Sequence, residues 1–146
     1  MIGRHIQTIF CDDIRHEVSG KVSYIGVYSS ELIVPSLPVI LPKLCLSVKV
    51  VTPADRPLGA LTMRVFKNEE VLQEIGIDEE QLNAASELSD GMAEKEKKER
   101  VLSAQFMLVF SPIQFEERCV LRVRVQTEDE ELQGIALRIV QAPVPA

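Results

Sequence analysis

The chain has no tryptophan, two tyrosines, two histidines and three cysteines among its 146 residues. Both histidines, His5 and His16, lie near the N-terminus and leave little material for general-base chemistry. A serine–histidine or cysteine–histidine nucleophile therefore has no support, and enzymatic activity is not expected. No segment approaches the roughly 18–20 consecutive apolar residues that span a bilayer, so no membrane association is expected. No apolar run precedes Cys11 that could form the core of a signal peptide. The cysteines Cys11, Cys45 and Cys119 are widely spaced and odd in number, which reads as reduced thiols in a cytoplasmic protein. Basic charge is scarce as well: 16 Lys and Arg against 22 Asp and Glu give a net charge of −6. That balance disfavours nucleic acid as a partner, because polyphosphate binding needs a basic face.

There is no glycine-rich phosphate loop and no alternation of strands with helices, which excludes nucleotide-binding α/β folds. What is present is alternation of period two. Residues 43–51 place Leu44, Leu46, Val48 and Val50 on one face, with Ser47 and Lys49 on the other. Residues 118–127 repeat the pattern with Cys119, Leu121, Val123 and Val125 inward and Arg122, Arg124 and Gln126 outward. Similar signals cover residues 4–10, 21–28, 60–66 and 101–110. Residues 67–70 turn the strand 60–66 into 71–75 as a hairpin, and 132–140 pair back on 118–127 with Ile135, Leu137 and Ile139 inward. Pro35, Pro38 and Pro42 make the stretch after Val34 an edge or a strap, since proline lacks a ladder donor.

About eight or nine short strands at this spacing predict an all-β fold, an antiparallel immunoglobulin-like β-sandwich. Residues 1–141 form the single domain and 142–146, with Pro143 and Pro145, a disordered tail. Residues 11–20 are too polar for a strand. One charged helical insertion is expected at about 78–100. It opens with Asp78 as N-cap and Gln81 completing a capping box, continues through Leu82, Ala85 and Leu88, and carries the pairs Glu94–Lys98 and Glu96–Arg100.

The run Phe10-Cys11-Asp12-Asp13-Ile14-Arg15 with Glu17, followed by Gly20-Lys21-Val22-Ser23-Tyr24-Ile25-Gly26-Val27-Tyr28, resembles the start of an uncharacterised family of small bacterial and phage proteins. The proline strap, Val34-Pro35-Ser36-Leu37-Pro38 and Leu41-Pro42-Lys43-Leu44, is similar to that family's as well. Ser111-Pro112-Ile113 with the hairpin 118–140 is similar to the last strand pair of many immunoglobulin-like domains. The resemblance touches about half the chain and implies the fold; it supplies no mechanism.

Three constellations carry candidate chemistry. Cys11, Asp12, Asp13 and His16 are the densest group of metal-ligand types, though their spacing matches no zinc pattern, and carboxylates here also serve turns. Calcium between loops would need Asp12, Asp13, Asp55 and the acidic run 128–131 to share one end of the sandwich. Arg122, Arg124 and Arg138 project from one hairpin on one face, joined by Arg64 or Lys49 if either belongs to that sheet. Such a stripe could recognise carboxylates or phosphates of a partner, unless each arginine pairs with a neighbouring glutamate. The expected function is a non-enzymatic binding or assembly module without cofactors, possessing a protein partner and with a homo-oligomer as one form of it. A phage inhibitor of a host defence enzyme, a small metal-binding protein using residues 11–17, and a small-molecule-binding sandwich are the alternatives.

Overall fold

A computed structural model describes residues 3–90 and 100–143. In chain order the strands are β1 (His5–His16), β2 (Val22–Tyr28), β3 (Glu31–Val34), β4 (Val39–Leu41), β5 (Leu44–Pro53), β6 (Leu61–Lys67) and β7 (Glu70–Ile77). The helix α1 (Glu79–Ala85) follows. Then come β8 (Ser86–Asp90), β9 (Arg100–Phe110), β10 (Ile113–Phe115), β11 (Cys119–Gln126), β12 (Glu131–Gln133) and β13 (Leu137–Gln141). One sheet has the order β2-β1-β5-β9-β8; the other runs β3-β13-β11-β6-β7 with β12 also paired to β11. A short ribbon joins β4 to β10.

The alternating residues form the core between the two sheets. Leu44, Leu46, Val48 and Val50 of β5 and Ala104 of β9 meet Met63, Val65, Leu121, Val123, Val125 and Ile139 from the opposite sheet in one cluster. Among the described residues the strand pairings are antiparallel except that of β3, which lies parallel to β13 at the sheet edge. The β-sandwich is therefore as the alternation predicts, with that one parallel pair added.

Three local expectations are corrected. The segment 11–16 is strand, because β1 continues to His16 with its polar residues paired against β2. The chain then turns through Ser19 and Gly20, both at positive φ.

The helical insertion is the second. Asp78 and Gln81 form the expected capping box, but α1 ends at Ala85 and Ser86 is extended (φ −83°, ψ 138°). Leu88 lies on β8, which pairs with β9 from Ser86 opposite Ala104 to Asp90 opposite Arg100. The open edge of β9 offers a complete ladder of backbone hydrogen bonds, which outweighs the weak propensity of a short helix. Residues 91–99, with the expected pairs Glu94–Lys98 and Glu96–Arg100, lie outside the described residues apart from Arg100.

Third, the strand 132–140 is interrupted between β12 and β13, and Ile135 is 68% exposed rather than inward. The Thr8 hydroxyl, from the other sheet, accepts from Ile135 N at 3.1 Å and donates to Ile135 O at 3.3 Å. The backbone at Ile135 thus bonds Thr8 in place of a neighbouring strand. At the C-terminus Ala142 donates its amide to Val34 O at 2.8 Å; residues 144–146 of the expected tail lie outside the described part.

Candidate functional site

The arginines of β11 and β13 do share the outward face. Arg124 is opposite Arg64 and Arg122 opposite Phe66 across β11 and β6, while Arg138 is opposite Val120 across β11 and β13. Arg64 belongs to this face, and Lys49 sits on β5 in the other sheet. Most of the stripe is compensated by carboxylates. Arg138 pairs with Glu31 at 3.1 Å, Arg64 with Glu74 at 3.1 Å, and Arg124 approaches Glu131 at 3.7 Å. Arg124 also stacks its guanidinium over the Phe66 ring, 5.1 Å from the centroid. Its Nε is buried and makes no hydrogen bond among the described residues.

Arg122 differs from these three: among the described residues it forms no ion pair. With Arg124, Phe66, Asn68 and Glu69 it lines an open concavity of about 490 Å³. Asn68 fixes one wall. It adopts φ 55° at the β6–β7 turn, a conformation asparagine tolerates better than most residues. Its amide donates to Val120 O at 2.8 Å and its Oδ1 accepts from Val120 N at 3.0 Å, fastening the turn to β11. A second concavity, of about 310 Å³, shares Asn68 and Glu69 with the first and is lined further by Lys67, Glu70, Glu116, Glu117 and Cys119.

The metal-ligand candidates near the N-terminus do not converge. Cys11 is wholly buried, and its Sγ donates to Asp13 O at 3.4 Å. Burial, then the neighbouring Cys45 thiol, pushes its pKa up to about 11, so the group stays a thiol. The Asp12 carboxylate accepts from the Tyr28 hydroxyl, and a Cβ at Gly26, which has φ 68°, would stand 2.2 Å from Asp12 Oδ2. Asp13 pairs with Lys43 at 2.6 Å, which holds its carboxyl below the usual carboxylate range. His16 is exposed at the end of β1. Among the described residues no group of three or more His, Cys, Asp or Glu side chains could hold a metal ion. The two halves of the opening motif instead meet as paired strands, Asp12 reaching Gly26 and Tyr28.

The acidic run 128–131 lies elsewhere. Arg4, at the opposite end of β1 from Asp13, is buried, and its Nη1 lies 3.1 Å from Glu128 and 3.2 Å from Asp129. Its Nε donates to Thr52 Oγ1 and its Nη2 to Arg56 O; Arg56 in turn pairs with Asp129 at 2.6 Å. Of the three segments proposed for calcium, the loop carrying Asp55 meets the acidic turn through Arg56, while Asp12 and Asp13 lie at the other end of β1, and the turn's carboxylates are held by arginines. No pattern signalled this role for Arg4, which the alternation includes only as the first residue of the strand signal 4–10, while β1 itself begins at His5.

These features define an all-β sandwich with charged concavities around one hairpin. The chain belongs to DUF6941, a family of unknown function, whose profile matches residues 7–140. No curated protein matches it. Among the described residues no helix is long and apolar enough to cross a membrane.

Proposed function

We propose that the protein is a non-enzymatic binding and assembly module that receives a protein partner on the face carrying Arg122 and Arg124. The observation that carries this reading is the Arg122 guanidinium, which forms no ion pair among the described residues and stands beside Arg124 at an open concavity. A guanidinium presents a planar fork of donors that matches a carboxylate, so a free one beside a second arginine favours an acidic side chain of the partner. Arg138, committed to Glu31, is a peripheral member of the face.

The non-enzymatic reading is supported by the state of the nucleophile candidates. Cys11, Cys45 and Cys119 are free but buried, and Cys11 is held as a thiol. His5 uses Nδ1 on its own neighbour Gly3 O. Three buried free thiols also fit a reducing, cytoplasmic compartment.

The test is affinity capture from bacterial extract, the source to which the opening motif's resemblance directs the search. Wild-type protein is compared with Arg122→Glu, with captured proteins identified by mass spectrometry. A protein retained by the wild type and lost with Arg122→Glu is the expected result. Identical captures from both would remove this face as the binding surface.

A further inference from the structure

The two concavities flanking the β6–β7 turn carry opposite charge. One holds Arg122 and Arg124; the other holds Glu69, Glu70, Glu116 and Glu117 with Lys67 as its one cation, and stays acidic in balance. Glu69 and Asn68 line both, so the turn is the ridge between them. On other parts of the surface Lys43 pairs with Asp13, Arg56 with Asp129, Arg64 with Glu74 and Arg138 with Glu31. Around this ridge Arg122 and the four glutamates form no ion pair among the described residues.

A surface with a cationic hollow on one side of a ridge and an anionic hollow on the other is complementary to itself after a two-fold rotation. We infer that the partner fitted by this surface is a second copy of the chain, docked about an axis beside Asn68. Arg122 of each copy then meets Glu116 and Glu117 of the other. This deepens the reading of the arginine face as a binding surface and rests on it. The net charge of −6 per chain opposes association at long range. The attraction acts at contact, well inside a Debye length of about 8 Å at physiological ionic strength. The dimer is therefore a weak, reversible one, in the class of small transient interfaces.

Charge reversal tests the geometry, because a two-fold interface makes each contact twice. Arg122→Glu sets glutamate against glutamate in its own dimer, and Glu117→Arg sets arginine against arginine. Mixed together, the two variants restore opposite charges at both contacts.

Sedimentation velocity at about 100 µM, a concentration that populates weak complexes, is run on each protein and on the equimolar mixture. Circular dichroism confirms folding, and Glu116→Arg replaces Glu117→Arg if the latter misfolds. The expected result is a species of twice 16.3 kDa for the wild type, loss of it in either variant, and its return in the mixture. A wild type that stays at 16.3 kDa overturns the self-association; if it still captures a protein through Arg122, the binding-module reading survives alone. A dimer indifferent to both reversals also overturns it, by locating the contact on another face.

Discussion

Cys11 and Cys45 are cross-strand partners on β1 and β5, both wholly buried although they point away from the core. Their register neighbours on either side, Val27 of β2 and Val109 of β9, are each 57% exposed and stand at the two ends of the row. Phe10 and Leu46, one residue along each strand, enter the core cluster. The cysteines thus floor a shallow row on the outer face of the five-stranded sheet, where a small thiol fits between taller side chains.

The Cys11 thiol and the nearby Tyr28 phenol set an alkaline limit to stability. Cys11 is raised from 9.0 to about 11. Tyr28 is raised from 10.0 to about 12, by burial first and then by its hydrogen bond to Asp12. Both folded-state values lie above the unfolded ones, so the native state favours the protonated groups. Their stabilising contribution is complete below pH 9.0 and is lost as pH rises through about 11 for Cys11. Urea midpoints measured from pH 8 upward should fall across that window, and Cys11→Ser should flatten the first part of the fall. A midpoint unchanged throughout would contradict this linkage. In native protein at pH 8 the three thiols should resist a disulfide reagent that reacts with all of them in denaturant.

Arg4 ties the start of β1 to the acidic turn and to the loop carrying Thr52 and Arg56. Removing it leaves Glu128, Asp129 and Glu130 clustered, with Arg56 as their counter-charge among the described residues. The carboxylates keep partial access to water, which moderates the cost. Arg4→Met should destabilise the fold by about 2–3 kcal/mol, at or below the lower end for breaking a buried pair. Arg4→Lys should recover little, because one ammonium cannot reach the several partners that the guanidinium fork serves. Chemical denaturation of the two variants checks both values, and a lysine variant as stable as wild type would refute the fork argument.

Gly26 is constrained twice, by its left-handed φ of 68° and by the Asp12 carboxylate lying over it. Gly26→Ala should cost about 2–4 kcal/mol, combining the conformational penalty with the displacement of Asp12 from Tyr28. Only the conformational part should remain in an Asp12→Ala background. The double-mutant cycle is therefore expected to show coupling of about 1 kcal/mol or more. Strict additivity would mean that Asp12 and Gly26 do not interact as placed.

The legible parts of the fold were those where one face is dry and the other wet. β11 alternates buried and half-exposed from Cys119 through Val125, and the period-two signal follows directly. The capping box at Asp78 was equally local and equally readable. What escaped were decisions made across the sandwich. β1 runs on through Asp12 and Asp13 because Tyr28 and Lys43, far away in sequence, satisfy them. Ser86 leaves the helix because β9 has an edge to fill. The arginine face was predicted as a trio, yet Glu31 and Glu131 occupy Arg138 and Arg124 to different degrees and leave Arg122 distinct. Carboxylates from separate strands choose those partners, and no single stretch of chain encodes the choice.

Thr8 gives the sharpest test of such a long-range contact. Its hydroxyl bonds both the N–H and the C=O of Ile135, and its methyl lies so close to Gly134 that a Cβ there would be 2.4 Å away. Thr8→Val keeps the shape and removes the hydroxyl. Ile135 is exposed, so water can replace the lost partner and the cost should be modest, about 1 kcal/mol. The local consequence should be larger than the global one. The Ile135 amide is held by Thr8 rather than by a strand, so its hydrogen exchange should accelerate selectively in Thr8→Val, while the amides of β11 keep their protection. Equal protection of Ile135 in both proteins would show that something other than Thr8 closes the gap between β12 and β13.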